Sequence, residues 1–124
     1  MKITEKIKSF EDACEALGIN SALPNLEAIP VSYQKPLHAH YKLCVIAEAL
    51  NEGWKPNWDD YNEYKYYPWF DMEGSSSGSG FSYGDYDLWS TLSHVGSRLC
   101  FKSRELARYV SETFIDLYRE YFVM

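Results

Sequence analysis

Between Trp54 and Trp89 the chain carries more than half of its aromatic residues, in two runs separated by Gly74-Ser75-Ser76-Ser77-Gly78-Ser79-Gly80. No other feature limits the fold as strongly. Each large ring has about 150–250 Å² to bury. A chain of 124 residues must therefore place these rings in the core of a small sheet or on a face that holds something. Aromatic residues make up 17% of the sequence, while the 46% hydrophobic and 24% charged fractions are those of an ordinary globular protein. The length fits one globular domain over residues 1–124, with a flexible glycine-serine loop at 74–80.

Periodicity and punctuation predict the elements. Residues 3–8 read as a short edge strand or a disordered lead-in. Ser9-Phe10-Glu11-Asp12 resembles a capping box, Phe10, Ala13, Cys14 and Leu17 follow helical spacing, and Gly18 offers a stop, which predicts a helix over 10–17. After a loop carrying Pro24 and Pro30, a second helix is expected to begin near Pro36. Ala39, Leu43, Ile46, Ala47 and Leu50 form one face of it, Cys44, Val45 and Ala49 make the other side apolar too, and Gly53 ends it. Tyr64 to Met72 and Phe81 to Thr91 are strand candidates, and Pro68 within the first suggests an edge or a bulge. Arg98 to Lys102 is expected as a third short strand. Ser103 can cap a final helix in which Leu106, Val110, Phe114, Leu117 and Tyr121 share a face. The predicted fold is α+β: a small antiparallel sheet of about three strands packed against two longer helices, plus a short N-terminal helix.

A formal charge of −6 and a pI near 5.0 argue against broad binding of a phosphate backbone. Three widely spaced cysteines, Cys14, Cys44 and Cys100, do not form a disulfide framework and include no Cys-x-x-Cys pair, so reduced thiols are expected. The N-terminus shows no secretory signal, and Leu43 to Leu50 is too short to span a bilayer, so a cytoplasmic location without membrane attachment is expected.

Three segments, Lys42 to Trp54, Tyr64 to Phe70 and Val95 to Ser103, together with the closing helix, resemble a family of small uncharacterised proteins of gut Bacteroidetes linked to phage and other mobile elements. The resemblance covers most of residues 9–122. It implies a cytoplasmic bacterial or phage origin and carries no catalytic residue over to this chain.

Candidate chemistry is sparse. Gly74-Ser75-Ser76-Ser77-Gly78 matches G-x-S-x-G, with Asp85 or Asp87 and His94 following in hydrolase order. A nucleophile elbow needs a strand, a turn and a helix in a large sheet, whereas this run is low-complexity and precedes a strand. It reads as a loop, and it also lacks the ending of a phosphate loop. His38 and His40 stand two apart, the wrong spacing for ligands on one helix face. Asn57, Asp59 and Glu63 partly fit a calcium loop, but the turn glycine is missing. Cys100, between Arg98 and Lys102, is the best cysteine for reactivity, and packing explains it better. No cofactor, metal or catalytic constellation is expected.

Two readings remain. The leading one is a non-enzymatic interaction module whose sheet presents Tyr67, Trp69, Tyr83, Tyr86 and Trp89 to a protein partner or a second copy. The alternative is single-stranded nucleic acid or nucleotide binding through the same aromatics, with Arg98, Lys102, Ser103, Arg104 and Arg108 as an anion site at the start of the last helix. A salt link from these cations to Asp59-Asp60 is the simpler expectation for the basic cluster.

Overall fold

A computed structural model describes residues 1–74 and 80–124, so positions 75–79 of the glycine-serine loop, and with them most of the G-x-S-x-G match, lie outside the described residues. The fold is α+β. Its described elements are helices α1 (Ile3–Lys6), α2 (Phe10–Leu17) and α3 (Val31–Asn51), strands β1 (Lys65–Asp71) and β2 (Ser82–Trp89), and helices α4 (Arg104–Thr113) and α5 (Ile115–Phe122).

The N-terminal residues form a helical turn rather than a strand. The fully buried Ile7 anchors them, and its carbonyl accepts the Tyr109 hydroxyl at 2.5 Å, fastening this segment to α4. The α2 helix has the expected bounds. Ser9 accepts the Asp12 N–H, and Gly18 closes the helix in a left-handed conformation at φ 69°.

The α3 helix starts five residues before Pro36, which is therefore internal. The ring removes the N–H that would serve the Ser32 carbonyl. Ser32 is exposed, so water can replace that bond and the helix continues. Further along, α3 is the central helix, packed by α2 and α5, with Leu43, Val45, Ile46, Ala47, Ala49 and Leu50 all buried. It ends on Glu52, which holds the left-handed cap position at φ 49°, one residue before Gly53. A side chain is disfavoured there. Glu52→Gly is expected to raise stability by up to about 1 kcal/mol in chemical denaturation, because the Lys102–Glu52 pair it removes, at 3.6 Å, is exposed and worth little.

The sheet has two strands among the described residues, not three. β1 and β2 pair antiparallel, Lys65 against Trp89 through Asp71 against Ser82, with a shift between Trp69 and Phe70. The expected third strand is instead a 3-10 turn, Ser97–Leu99, followed by one bridge in which Tyr66 and Phe101 exchange backbone bonds of 3.0 and 2.7 Å. Backbone direction alternates along a strand, so Pro68 points the same way as Tyr66, towards this side. It has no N–H to offer, and the third pairing stops after one bridge.

The closing helix is broken. Phe114, at φ −117° and ψ 28°, ends α4 and begins α5. Leu106 and Val110 are buried as expected, but beyond the break Tyr118 is buried, Leu117 is only partly so and Tyr121 is exposed. The break rotates α5 so that Tyr118 and Phe122 meet Phe70 at 4.7 and 5.6 Å, while Phe70 stacks on Phe81 at 4.8 Å. The inner sheet face is thus closed by α4 and α5.

Candidate functional site

Cross-strand pairing sorts the aromatic residues onto two faces. Tyr66, Pro68 and Phe70 oppose Leu88, Tyr86 and Tyr83, and several of these pack on the core. Lys65, Tyr67 and Trp69 oppose Trp89, Asp87 and Asp85 on the outer face. The five predicted binding aromatics are therefore not brought together. Tyr83 and Tyr86 lie on the helix side; Tyr67, Trp69 and Trp89 lie on the outer side.

The outer face is half closed by the chain itself. Lys65 is fully buried although it carries a charge. Its ammonium donates to the carbonyls of Asn57 at 2.5 Å, Glu63 at 2.9 Å, Ser90 at 2.6 Å and Asp60 at 3.3 Å. The Glu63 carboxylate lies 3.4 Å away, and the Trp58 ring centre is 5.2 Å from the nitrogen. A buried cation is tolerable only with such compensation. The loop 54–63 is shaped for it. Glu63 Oε1 accepts the Asn57 N–H at 2.6 Å, Asn57 Oδ1 accepts from Asp59, and Asp60 Oδ1 accepts from Asn62. The partial calcium-loop pattern thus surrounds the protein's own ammonium. Nothing in the sequence periodicity marks Lys65 for this role; the clue was a lysine at a strand position flanked by a loop rich in carbonyl-bearing turns.

Next along the same face, Tyr67 is buried, its hydroxyl accepting from the Trp89 indole and donating to Asp87 Oδ2 at 3.4 Å. Burial raises this phenol above its ordinary pKa, and the Trp69 and Trp89 indoles beside its oxygen oppose that. His94 meets the edge of Trp89 at 5.1 Å. The covered half ends here. Trp69 is 53% exposed, directly opposite Asp85, and Met72 beyond it is exposed as well. Trp69 is therefore a large ring held on a rigid strand above a locked Tyr67–Trp89 pair, with a carboxylate beside it.

Of the five predicted anion-site residues, Lys102, Ser103, Arg104 and Arg108 lie at the start of α4 but are already engaged. Ser103 accepts the Leu106 N–H at 3.3 Å and is occupied as a helix cap. Lys102 pairs with Glu52, Arg104 with Glu105, and Arg108 with Glu112 at 3.0 Å. The expected link to Asp59-Asp60 is not formed among the described residues. Arg98 turns away towards a cleft beside α3. Two cations lie near aromatic residues: Arg104 is raised by donating a hydrogen bond to the Tyr86 hydroxyl oxygen, and Tyr83, raised chiefly by burial, feels the charge of Arg108 in the opposite sense.

Cys100 is 1% exposed, and burial pushes its thiol up to about 11 against a smaller opposing effect of Lys65. It is a packed thiol, not a nucleophile. His38 binds the Pro24 carbonyl at 2.8 Å and His94 packs on Trp89, so the histidines do not converge. Among the described residues no three metal-ligating side chains cluster, and no helix is long and apolar enough to cross a membrane. Comparison with protein-family models, curated proteins and solved structures gave no match to this chain.

Proposed function

We propose that the protein is a non-enzymatic interaction module and that the open half of its outer sheet face, centred on Trp69, seats a basic segment of a protein partner. The observation carrying this reading is the pairing of an exposed indole with Asp85 across the strands, with Asp71 and Asp87 on the same pair of strands. An indole face and a neighbouring carboxylate suit a lysine or arginine side chain, which stacks over the ring while its charge is matched. The net charge of −6 favours the same partner chemistry and steers its approach. Phosphate is disfavoured at this face by the same carboxylates.

An arginine-rich peptide titrated against the protein, followed by tryptophan fluorescence, tests this. Trp69→Ala is expected to weaken binding about tenfold, the value of one well-placed cation–π contact, with the domain still folded and the thermal transition only slightly lowered, since the ring is half-exposed and its indole also meets the Tyr67 hydroxyl. Equal binding by Trp69→Ala would count against the assignment. The nucleic-acid reading rests on a different observation, Arg104 beside the Tyr86 hydroxyl and the charge of Arg108 near Tyr83 along α4. A single-stranded oligonucleotide that binds in a manner lost in an Arg104→Ala, Arg108→Ala double variant, and kept in Trp69→Ala, would replace the first reading with this one.

A further inference from the structure

A cleft of about 910 Å³ is bounded by α1, the end of α2, the second half of α3 and the 53–56 and 97–98 segments. Pockets that hold small organic ligands run from about 300 to 1,000 Å³. The walls of this one are tied down. The Trp58 indole donates to Ser97 Oγ at 2.7 Å, which joins the loop after α3 to the turn at 97–99. Leu99 anchors that turn in the core. The Tyr109 hydroxyl fastens the segment after α1 through the Ile7 carbonyl.

The charges lining the cleft run against those of the whole chain. With 18 Asp and Glu against 12 Lys and Arg, carboxylates are in surplus and a cation is easily matched. Arg104, Arg108 and Arg119 each pair with one. Arg98 pairs with none among the described residues, nor do Lys6 and Lys55, and all three line this cleft. The Cys44 thiol on the same wall is raised by burial and lowered by the Arg98 charge, in keeping with a guanidinium on the cleft side of its turn. Glu52 also lines the cleft but is matched by Lys102, which leaves Glu48 as the free carboxylate. The concave surface therefore carries an excess of positive charge. It also holds one unused ring. Trp54 is partly buried, and its backbone N–H donates to the Asn51 carbonyl at 2.9 Å. Its indole makes no ring contact and no hydrogen bond among the described residues, whereas the Trp58 and Trp89 indoles both donate.

We propose that this cleft binds a mononucleotide, with the base against Trp54 and the phosphate received by Arg98, Lys6 and Lys55. A guanidinium takes phosphate oxygens in pairs, and the two ammonium groups add charge without fixing direction. An indole face stacks on any of the bases. Glu48 can accept from a ribose hydroxyl or a base amino group, so each polar group of the cleft has a counterpart on the ligand. A simple aromatic carboxylate brings less charge and no donor for Glu48. The cleft is thus opposite in preference to the Trp69 face, which is acidic and suits a cation.

Calorimetric titration with AMP, adenosine and inorganic phosphate tests the proposal, with two-dimensional amide and indole NMR spectra locating the site. AMP is expected to bind saturably and to shift the Trp54 indole and the Arg98 amide. Adenosine and inorganic phosphate are each expected to bind at least about tenfold more weakly, since each offers one half of the contacts. Arg98→Gln is expected to weaken AMP by about tenfold or more, the value of a charged hydrogen-bonded contact, and Trp54→Leu to do the same through the lost stacking. Arg98 is exposed, so its variant carries the test should Trp54→Leu fold poorly. Inorganic phosphate that binds as tightly as AMP would reduce the cleft to a bare anion patch and overturn the proposal. So would unchanged affinity in Arg98→Gln, AMP shifts confined to Arg104 and Arg108, or no saturable shift at Trp54. Trp69→Ala should leave AMP binding untouched, so the two sites fail or stand separately.

Discussion

Lys65→Met is expected to destabilise the protein by about 3–5 kcal/mol, the range for removing one member of a buried charge cluster. Methionine matches the length and apolar stem of lysine, so little packing is lost. What is lost is the donor for the carbonyls of Asn57, Asp60, Glu63 and Ser90, together with the cation facing Glu63 and the Trp58 ring. The Glu63 and Ser90 carbonyls lose the donor the ammonium gave them, whereas those of Asn57 and Asp60 keep the Asp60 and Glu63 N–H groups at 3.3 Å. Urea unfolding should show the loss, and amide exchange should show early release of residues 54–63 and of the 90–96 segment. A change below about 1 kcal/mol would mean that the loop holds its shape without the ammonium.

Asn51→Leu is expected to cost about 2–4 kcal/mol, the sum of one buried and one part-buried backbone group losing their partners. Asn51 is 5% exposed at the end of α3. Its amide donates to the Cys100 carbonyl at 3.0 Å and its oxygen accepts the Lys102 N–H at 3.1 Å. One side chain thus replaces a strand neighbour for the 100–102 segment, whose other side bridges Tyr66. Asn51→Asp makes the point sharper: it keeps the acceptor for Lys102 but sets a carboxylate against the Cys100 carbonyl. Thermal unfolding of both variants checks this, and an aspartate variant as stable as the wild type would contradict the double clip.

These two residues show where sequence reasoning stopped. Local signals were legible. Ser9 and Ser103 cap the helices they were expected to cap, Gly18 ends α2, and the two main strands fall inside their expected bounds. Each depends on residues a few positions apart. The third strand failed because its pairing depends on Pro68, more than thirty residues away in the chain, and on Asn51 replacing the missing ladder. The break at Phe114 has no proline or glycine to announce it; it follows from the ring cluster of Phe70, Phe81, Tyr118 and Phe122, which exists only after folding. The candidate site was legible in composition but not in assignment. Alternation put Tyr67 and Trp69 on one side of β1, and the register with β2 then placed Tyr83 and Tyr86 on the other face. That Lys65 would draw a loop over half of the outer face, leaving Trp69 open, depends on carbonyls contributed by four separate residues.

The outer sheet face is divided into a half closed around Lys65 and an open half at Trp69, and it is the open half that we propose receives a basic segment. Two-dimensional amide and indole NMR spectra recorded while an arginine-rich peptide is added test it most directly. The predicted result is saturable shifts at the Trp69 indole and at the Asp71 and Asp85 amides, with the Trp58 and Trp89 indoles unmoved. Shifts confined to Arg104, Arg108 and Tyr86, or no saturable shift at Trp69, would contradict it.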